Sequence, residues 1–310
     1  ADPMTELNKG FYVSAGLGVV GLAIAAFWML PYGKIEYLIC GIIGVITAFV
    51  FVWVTQYYTS GRYRPVRDIM EASRTGPATN IISGIAVGFE TTGAAAVVIS
   101  IALLSSYFVG NQVTSAFPDS SGLFQSAGIY GTAVATMGML MTAAYILAMD
   151  TFGPVTDNAG GIVEMSNQPE SVRDTTDALD SAGNTTKALT KGYAIGTAAL
   201  AAFLLFSAYL QEVARFGGDA VQSQVVNLAN PRVFVGGLIG AALVFVFASL
   251  AMRAVGRAAG AMIEEVRRQF RSDPGIMAGT STPDYSACVD IAVRASLREM
   301  IAPGLLAVAV

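Results

Sequence analysis

Two neighbouring strings, DTFGPVTDNAGGIVEM over 150–165 and TDALDSAGNTTKALTK over 176–191, concentrate carboxylates, amides and ammonium groups. Asp150, Asp157 and Glu164 recur every seven residues, two helical turns apart, and so share one face of a helix. Asp180, Asn184, Lys187 and Lys191 follow at i, i+4, i+7 and i+11, again on one face. Carboxylates crowded together repel unless a cation sits among them, and the interleaved lysines point to an anion as well. The pattern reads as a site for a metal–phosphate complex. Asp150, Asp157 and Asp180 are its candidate metal ligands, with Asn184 supplying a neutral oxygen or a donor and Lys191 an ion pair to a phosphate oxygen. Gly153, Gly160 and Gly161 leave room for close approach, and Pro154 loosens the helix locally. The competing reading is a solvated, charged helix end, but no Glu–Lys i,i+4 ladder explains the pattern.

The chain contains no histidine. Ser-His-Asp and Cys-His chemistry and His-ligated zinc are therefore excluded within it. Oxygen ligands alone favour Mg²⁺, which takes one or two carboxylates plus phosphate oxygens and keeps several waters.

These residues must be positioned by membrane helices. The 310 residues are 54% hydrophobic and 13% charged, far more apolar than a soluble domain. Apolar runs of spanning length cover about 11–30, 35–57, 80–109, 123–149, 193–210 and 232–252, and a seventh starts at 300–310. The fold class is all-α, a polytopic helical membrane protein. Of 18 Lys and Arg, four fall in 58–79, three in 150–192 and seven in 253–299. The intervening loops 31–36, 110–122 and 211–231 are almost free of them. By the positive-inside rule the three basic segments are cytoplasmic, so the acidic cluster faces the compartment that holds phosphorylated metabolites. Residues 1–3 read as a cloning remnant, and the whole chain as one integral-membrane region of a longer protein.

Helical periodicity breaks at Asn167-Gln168-Pro169 and resumes with Asp174, Asp177 and Asp180. It continues from the sixth run through 253–271 until Arg271-Ser272-Asp273-Pro274-Gly275 stops it. Gly84, Gly88, Gly93, Gly128, Gly131, Gly138, Gly192 and Gly196 are spaced through the spans as if for close helix packing. Glu90, alone in an apolar run, is a candidate for an ion path or a partner on a neighbouring helix. Arg62, Arg64 and Arg67 read as topology determinants. Cys40 and Cys288 fall in a span and a cytoplasmic segment, so no disulfide is expected.

The strings DTFGPVTDNAGGIVEM, TDALDSAGNTTKALTKGYAIG, YYTSGRYRPV and PDYSACVDIAVRASLREMIAPGLLAV resemble membrane-integral, ion-pumping inorganic pyrophosphatases. The resemblance implies a sixteen-span bundle in two concentric rings, acting as a homodimer. It implies hydrolysis of Mg-pyrophosphate at a cytoplasmic funnel, coupled to outward ion pumping. By the same resemblance Asp150, Asp157 and Asp180 are metal-binding, Asn184 lies near metal and substrate, and Lys191 binds pyrophosphate. Lys187 and Thr190 resemble the K⁺-independent proton pumps, where family members that need K⁺ carry alanine and glycine. The physical reading is that a tethered ammonium replaces the bound monovalent cation.

The family is about twice as long. The resemblance implies that the water-activating aspartates lie in spans outside this chain, so the catalytic residues are unassigned and the 310 residues alone are not expected to turn over substrate. The expected partners are pyrophosphate, membrane lipid, a second copy and the remaining spans, with no nucleic acid. The expected location is the cell membrane in a prokaryote, or an acidic-organelle membrane otherwise. The alternatives are a sodium-pumping pyrophosphatase, or a secondary transporter with a carboxylate-lined cation site.

Overall fold

A computed structural model describes residues 3–116, 127–216 and 226–309. All regular elements among them are helices: α1 (Pro3–Met29), α2 (Lys34–Thr59), α3 (Arg64–Ser73), α4 (Pro77–Ala116), α5 (Ala127–Leu140), α6 (Ala143–Met165), α7 (Glu170–Phe216), α8 (Pro231–Ser272), α9 (Pro274–Met277), α10 (Tyr285–Glu299) and α11 (Ile301–Ala309). Five are long and apolar enough to cross a membrane, and α5 with α6 makes a sixth candidate bent by 42°. The protein is an all-α polytopic membrane protein. It divides into two compact units, Ala1–Gln222 and Ser223–Val310.

In the first unit α2 is the central helix. Its Cys40, Ala48, Phe51 and Val52 are buried, and the core continues through Met139, Ile146, Met149, Leu189 and Tyr193. Small residues let the backbones meet. A Cβ at Gly44 would lie 2.8 Å from the carbonyl carbon of Ala135 and from the amide nitrogen of Met139. Gly110 of α4 and Gly131 of α5 touch in the same way, with 2.8 Å from a Cβ on either to the Cα of the other. Close packing of this kind holds membrane helices together where lipid gives no hydrophobic drive. Gly128, Gly138, Gly192 and Gly196 also sit at crowded contacts, whereas Gly84, Gly88 and Gly93 of α4 face open space in this chain. Both cysteines are free, and the buried Cys40 thiol donates to the carbonyl of Ser106 at 3.4 Å.

The run read over 123–149 is interrupted. α5 ends at Leu140 and α6 restarts at Ala143, while 123–126 lie outside the described residues. Neither proline nor glycine stands at the break. Instead the buried hydroxyl of Tyr193 on α7 donates to the Met139 carbonyl at 2.6 Å, giving that group a partner where the helical ladder fails. α4 continues to Ala116, into the loop read over 110–122; residues 117–126 are outside the described set. Likewise α7 runs to Phe216, into the loop read over 211–231, and residues 217–225 are outside that set.

α7 is 47 residues long, about 70 Å at 1.5 Å per residue. Its polar first half and apolar second half are therefore one rod that extends past the apolar stretch beginning near Tyr193. α6 stops at Met165, Asn167 adopts φ 51°, and Pro169 precedes the first turn of α7. This tight connection lays the polar end of α6 against that of α7.

In the second unit α8 opens with Asn230 as N-cap, its side chain accepting from the amide of Arg232 at 3.0 Å. It ends at Ser272, after which Asp273 caps α9 by accepting from the amide of Gly275 at 2.8 Å. The buried Gln269 ties α8 to the start of α10: its Oε1 accepts from the Asp284 amide at 2.8 Å and its Nε2 donates to the Asp284 carbonyl at 3.0 Å.

Candidate functional site

α6 and α7 cross where Gly153 meets Gly183. A Cβ on Gly183 would lie 3.0 Å from the Cα of Gly153, and one on Gly153 would lie 2.8 Å from the Gly183 carbonyl oxygen. Buried Thr156 turns its hydroxyl back to the Gly153 carbonyl at 2.8 Å, which satisfies that hydroxyl at the crossing. This contact brings together the two polar faces that sequence periodicity defined separately.

Four of the predicted residues converge there. Lys187 of α7 reaches across to α6 and forms an ion pair with Asp157. Its ammonium also lies 3.4 Å from Asn184 Oδ1. Asn184 in turn donates through Nδ2 to Asp180 Oδ2 at 3.2 Å. The second oxygen of Asp180, Oδ1, is buried and has no hydrogen-bond partner. Both groups lie beyond the apolar stretches of their helices. The Lys187 ammonium, with a smaller contribution from Asp180, holds the Asp157 carboxyl below the usual carboxylate range. The facing Asp157 carboxylate pushes Asp180 up. The two carboxyls face each other closely enough to share a proton or a cation, and Asp180 Oδ1 has no donor among the described residues. The donors are all oxygen and the site is polar, which fits a hard divalent ion rather than a soft one.

Asp150 stands apart. It lies two turns, about 10 Å, along α6 from Asp157, half-buried. No group of three acidic or thiol side chains is gathered to hold a metal among the described residues. Pro154, inside α6, has no N–H to donate to the carbonyl of Asp150. Lys191 is exposed one turn beyond Lys187, and no ion pair engages it among the described residues. Thr190 turns inward, its hydroxyl 3.2 Å from the Thr186 carbonyl and 3.5 Å from that of Ile146 on α6. Glu164 pairs with Arg173 across the α6–α7 connection.

Glu90 is outside this cluster. Its carboxylate accepts from Arg64 Nη2 at 2.7 Å and from the Tyr58 hydroxyl at 3.2 Å, tying α4 to the ends of α2 and α3. Arg64, read from sequence only for its charge, thus has a specific partner. Of the three glycines expected to allow close approach, only Gly153 is at the crossing; Gly160 and Gly161 face open space. Gly183 and Thr156 went unremarked in the sequence. A glycine facing Gly153 on the next helix leaves no periodic signal, because neither residue carries a side chain to pattern.

Comparison with known proteins adds a family. The model described as "Inorganic H+ pyrophosphatase" matches residues 1–310. A protein of Moorella thermoacetica named "K(+)-insensitive pyrophosphate-energized proton pump 2" is 56% identical over 99% of this chain and 44% of its own length. "Pyrophosphate-energized membrane proton pump 3" of Arabidopsis thaliana is 52% identical over 99% of this chain and 38% of its own. A "K(+)-insensitive pyrophosphate-energized proton pump" of Caldanaerobacter subterraneus is 53% identical, with 99% and 44% covered. The chain thus spans less than half the length of these relatives.

Proposed function

This chain belongs to the inorganic H⁺ pyrophosphatase family, and we propose that it forms part of a membrane enzyme that hydrolyses Mg-pyrophosphate and moves protons out of the cytoplasm. The observation that carries the reading is the α6–α7 cluster, where Asp157, Asp180, Asn184 and Lys187 meet and Asp180 Oδ1 is left without a partner. A secondary transporter would hold its cation near the bilayer midplane at broken helices. Here the carboxylates stand on the polar extensions of two helices, beyond the apolar stretches.

In this reading Asp157 and Asp180 hold Mg²⁺ from opposite helices, and Asp150 serves a second position further along α6. Held there, Mg²⁺ would supply charge neutralisation for the phosphate oxygens. Lys191, exposed and without an ion pair among the described residues, takes a phosphate oxygen as a point charge. Asn184 orients Asp180 and offers its remaining amide capacity to substrate. Lys187 keeps a fixed positive charge beside Asp157, the place a soluble monovalent cation would otherwise fill. Two relatives named K(+)-insensitive support that assignment, with Thr190 closing the inner side of the same helix face. The remaining spans of the protein supply the group that activates water, and a second copy completes a homodimer.

The test is phosphate release from pyrophosphate by the full-length protein in membranes. Release should require Mg²⁺, and Asp180→Asn should raise the Mg²⁺ concentration it needs. Intact, folded protein that releases no phosphate with Mg²⁺ present would overturn the reading.

A further inference from the structure

Gly153 is buried at the closest point between α6 and α7, and the side chain of Lys187 lies across it. A Cβ at Gly153 would be 2.6 Å from both Cγ and Cε of Lys187. Carbon atoms in favourable contact are about 3.5–4.0 Å apart. One methyl group at position 153 and the present course of Lys187 therefore exclude each other. Lys187 has only 26% of its side chain exposed, so its stem has little room to step aside and still bring its ammonium to Asp157. Gly183 differs. A Cβ there would meet the Thr156 hydroxyl and the Gly153 backbone, with no Lys187 atom nearer than 3.5 Å.

We propose that Gly153 is a positioning residue: its missing side chain is the channel that carries Lys187 from α7 to Asp157, and this reach is what makes a free monovalent cation unnecessary. The role in cation dependence rests on the pyrophosphatase reading; the role in positioning Lys187 does not. In Gly153→Ala the stem is displaced and the ammonium withdraws. Asp157 and Asp180 then face each other without it, and a soluble monovalent cation is the simplest replacement.

Two measurements on the full-length protein separate these claims. Carbodiimide joins an ammonium to a carboxylate in direct contact, and mass spectrometry locates the bond. Wild-type protein should yield a Lys187–Asp157 crosslink. Gly153→Ala should lose it while keeping the Lys9–Glu6 crosslink, whose partners are 2.7 Å apart on α1. Hydrolysis by Gly153→Ala without K⁺ should fall by about ten- to a hundredfold, the scale of misplacing a site group by an ångström, and added K⁺ should restore most of it. Gly183→Ala should lower activity without creating a K⁺ response. A Lys187–Asp157 crosslink that survives in Gly153→Ala overturns the proposal, as does a loss of activity that K⁺ does not touch. If Gly153→Ala fails to fold, the Gly153→Ala/Lys187→Ala protein decides. Recovery of folded protein supports a clash with Lys187, and equal failure assigns Gly153 to backbone packing alone. The expected crosslinks in a protein that hydrolyses no pyrophosphate would uphold the positioning role and overturn the pyrophosphatase reading.

Discussion

Lys187 of α7 and Asp157 of α6, thirty positions apart in the chain, form an ion pair directly over the Gly153–Gly183 crossing. The pair places a covalently held cation against one of two facing carboxylates. Lys187 is the main reason the Asp157 carboxyl is held low, while the facing Asp157 is the main reason Asp180 is pushed up.

Removing that cation should make its function visible. Lys187→Ala should leave hydrolysis low in K⁺-free medium and rising with KCl, whereas the unaltered protein responds little. Rates measured against KCl and against choline chloride at equal ionic strength separate a bound ion from general screening. An identical K⁺ response in both proteins would reject the tethered-cation role.

Asp180→Asn keeps the shape and the bond to Asn184 but removes the charge next to an orphaned oxygen. The Mg²⁺ concentration for half-maximal hydrolysis should rise by about ten- to a hundredfold, the range seen when the support of a metal site is disturbed. Mg²⁺ titrations at saturating pyrophosphate check this. An unchanged midpoint would move the metal away from Asp180.

How much of the site is legible in the sequence depends on the distance over which each cause acts. The faces of α6 and α7 are readable because i, i+4 and i+7 are local, so Asp180, Asn184 and Lys187 fall together on spacing alone. That the face of α6 carrying Asp157 meets them depends on a glycine-on-glycine crossing, which has no periodicity. The same seven-residue spacing groups Asp150 with Asp157, although two helical turns separate them by about 10 Å. The break before α6 is invisible in the local pattern because its cause, the Tyr193 hydroxyl on the Met139 carbonyl, comes from 54 residues away.

Gly44 tests the packing that supports the site. Gly44→Ala drives a methyl group into the backbone of α5 at Ala135 and Met139, where nothing flexible can yield. Overpacking of this kind costs about 1–3 kcal/mol. Thermal unfolding in detergent should show a lower midpoint for Gly44→Ala. Gly84→Ala, which meets open space in this chain, should cost less; equal midpoints would contradict the α2–α5 contact.

In the second unit Gln269→Ala removes the side-chain partners of the amide and carbonyl of Asp284. Asp284 is exposed, so water takes up the freed groups and each lost hydrogen bond costs about 0.5–1.5 kcal/mol. Amide hydrogen exchange at the first turn of α10 should accelerate. Unchanged protection there would show that the clamp contributes nothing.

Glu90 is bonded to Arg64 and Tyr58 with both charged partners substantially exposed, 45% for Glu90 and 56% for Arg64. An ion pair in such a setting is worth about 0–1 kcal/mol. Glu90→Gln should therefore keep hydrolysis and proton transport and shift thermal stability only slightly. A variant that hydrolyses pyrophosphate but no longer transports would put Glu90 on the ion path instead.

The most direct measurement uses sealed, inside-out membrane vesicles bearing the full-length protein in K⁺-free, Na⁺-free buffer with Mg²⁺. Adding pyrophosphate should release phosphate and at the same time acidify the vesicle interior, followed by quenching of a pH-sensitive dye and reversed by a protonophore. Vesicles that bind Mg-pyrophosphate yet show neither phosphate release nor acidification would contradict the account.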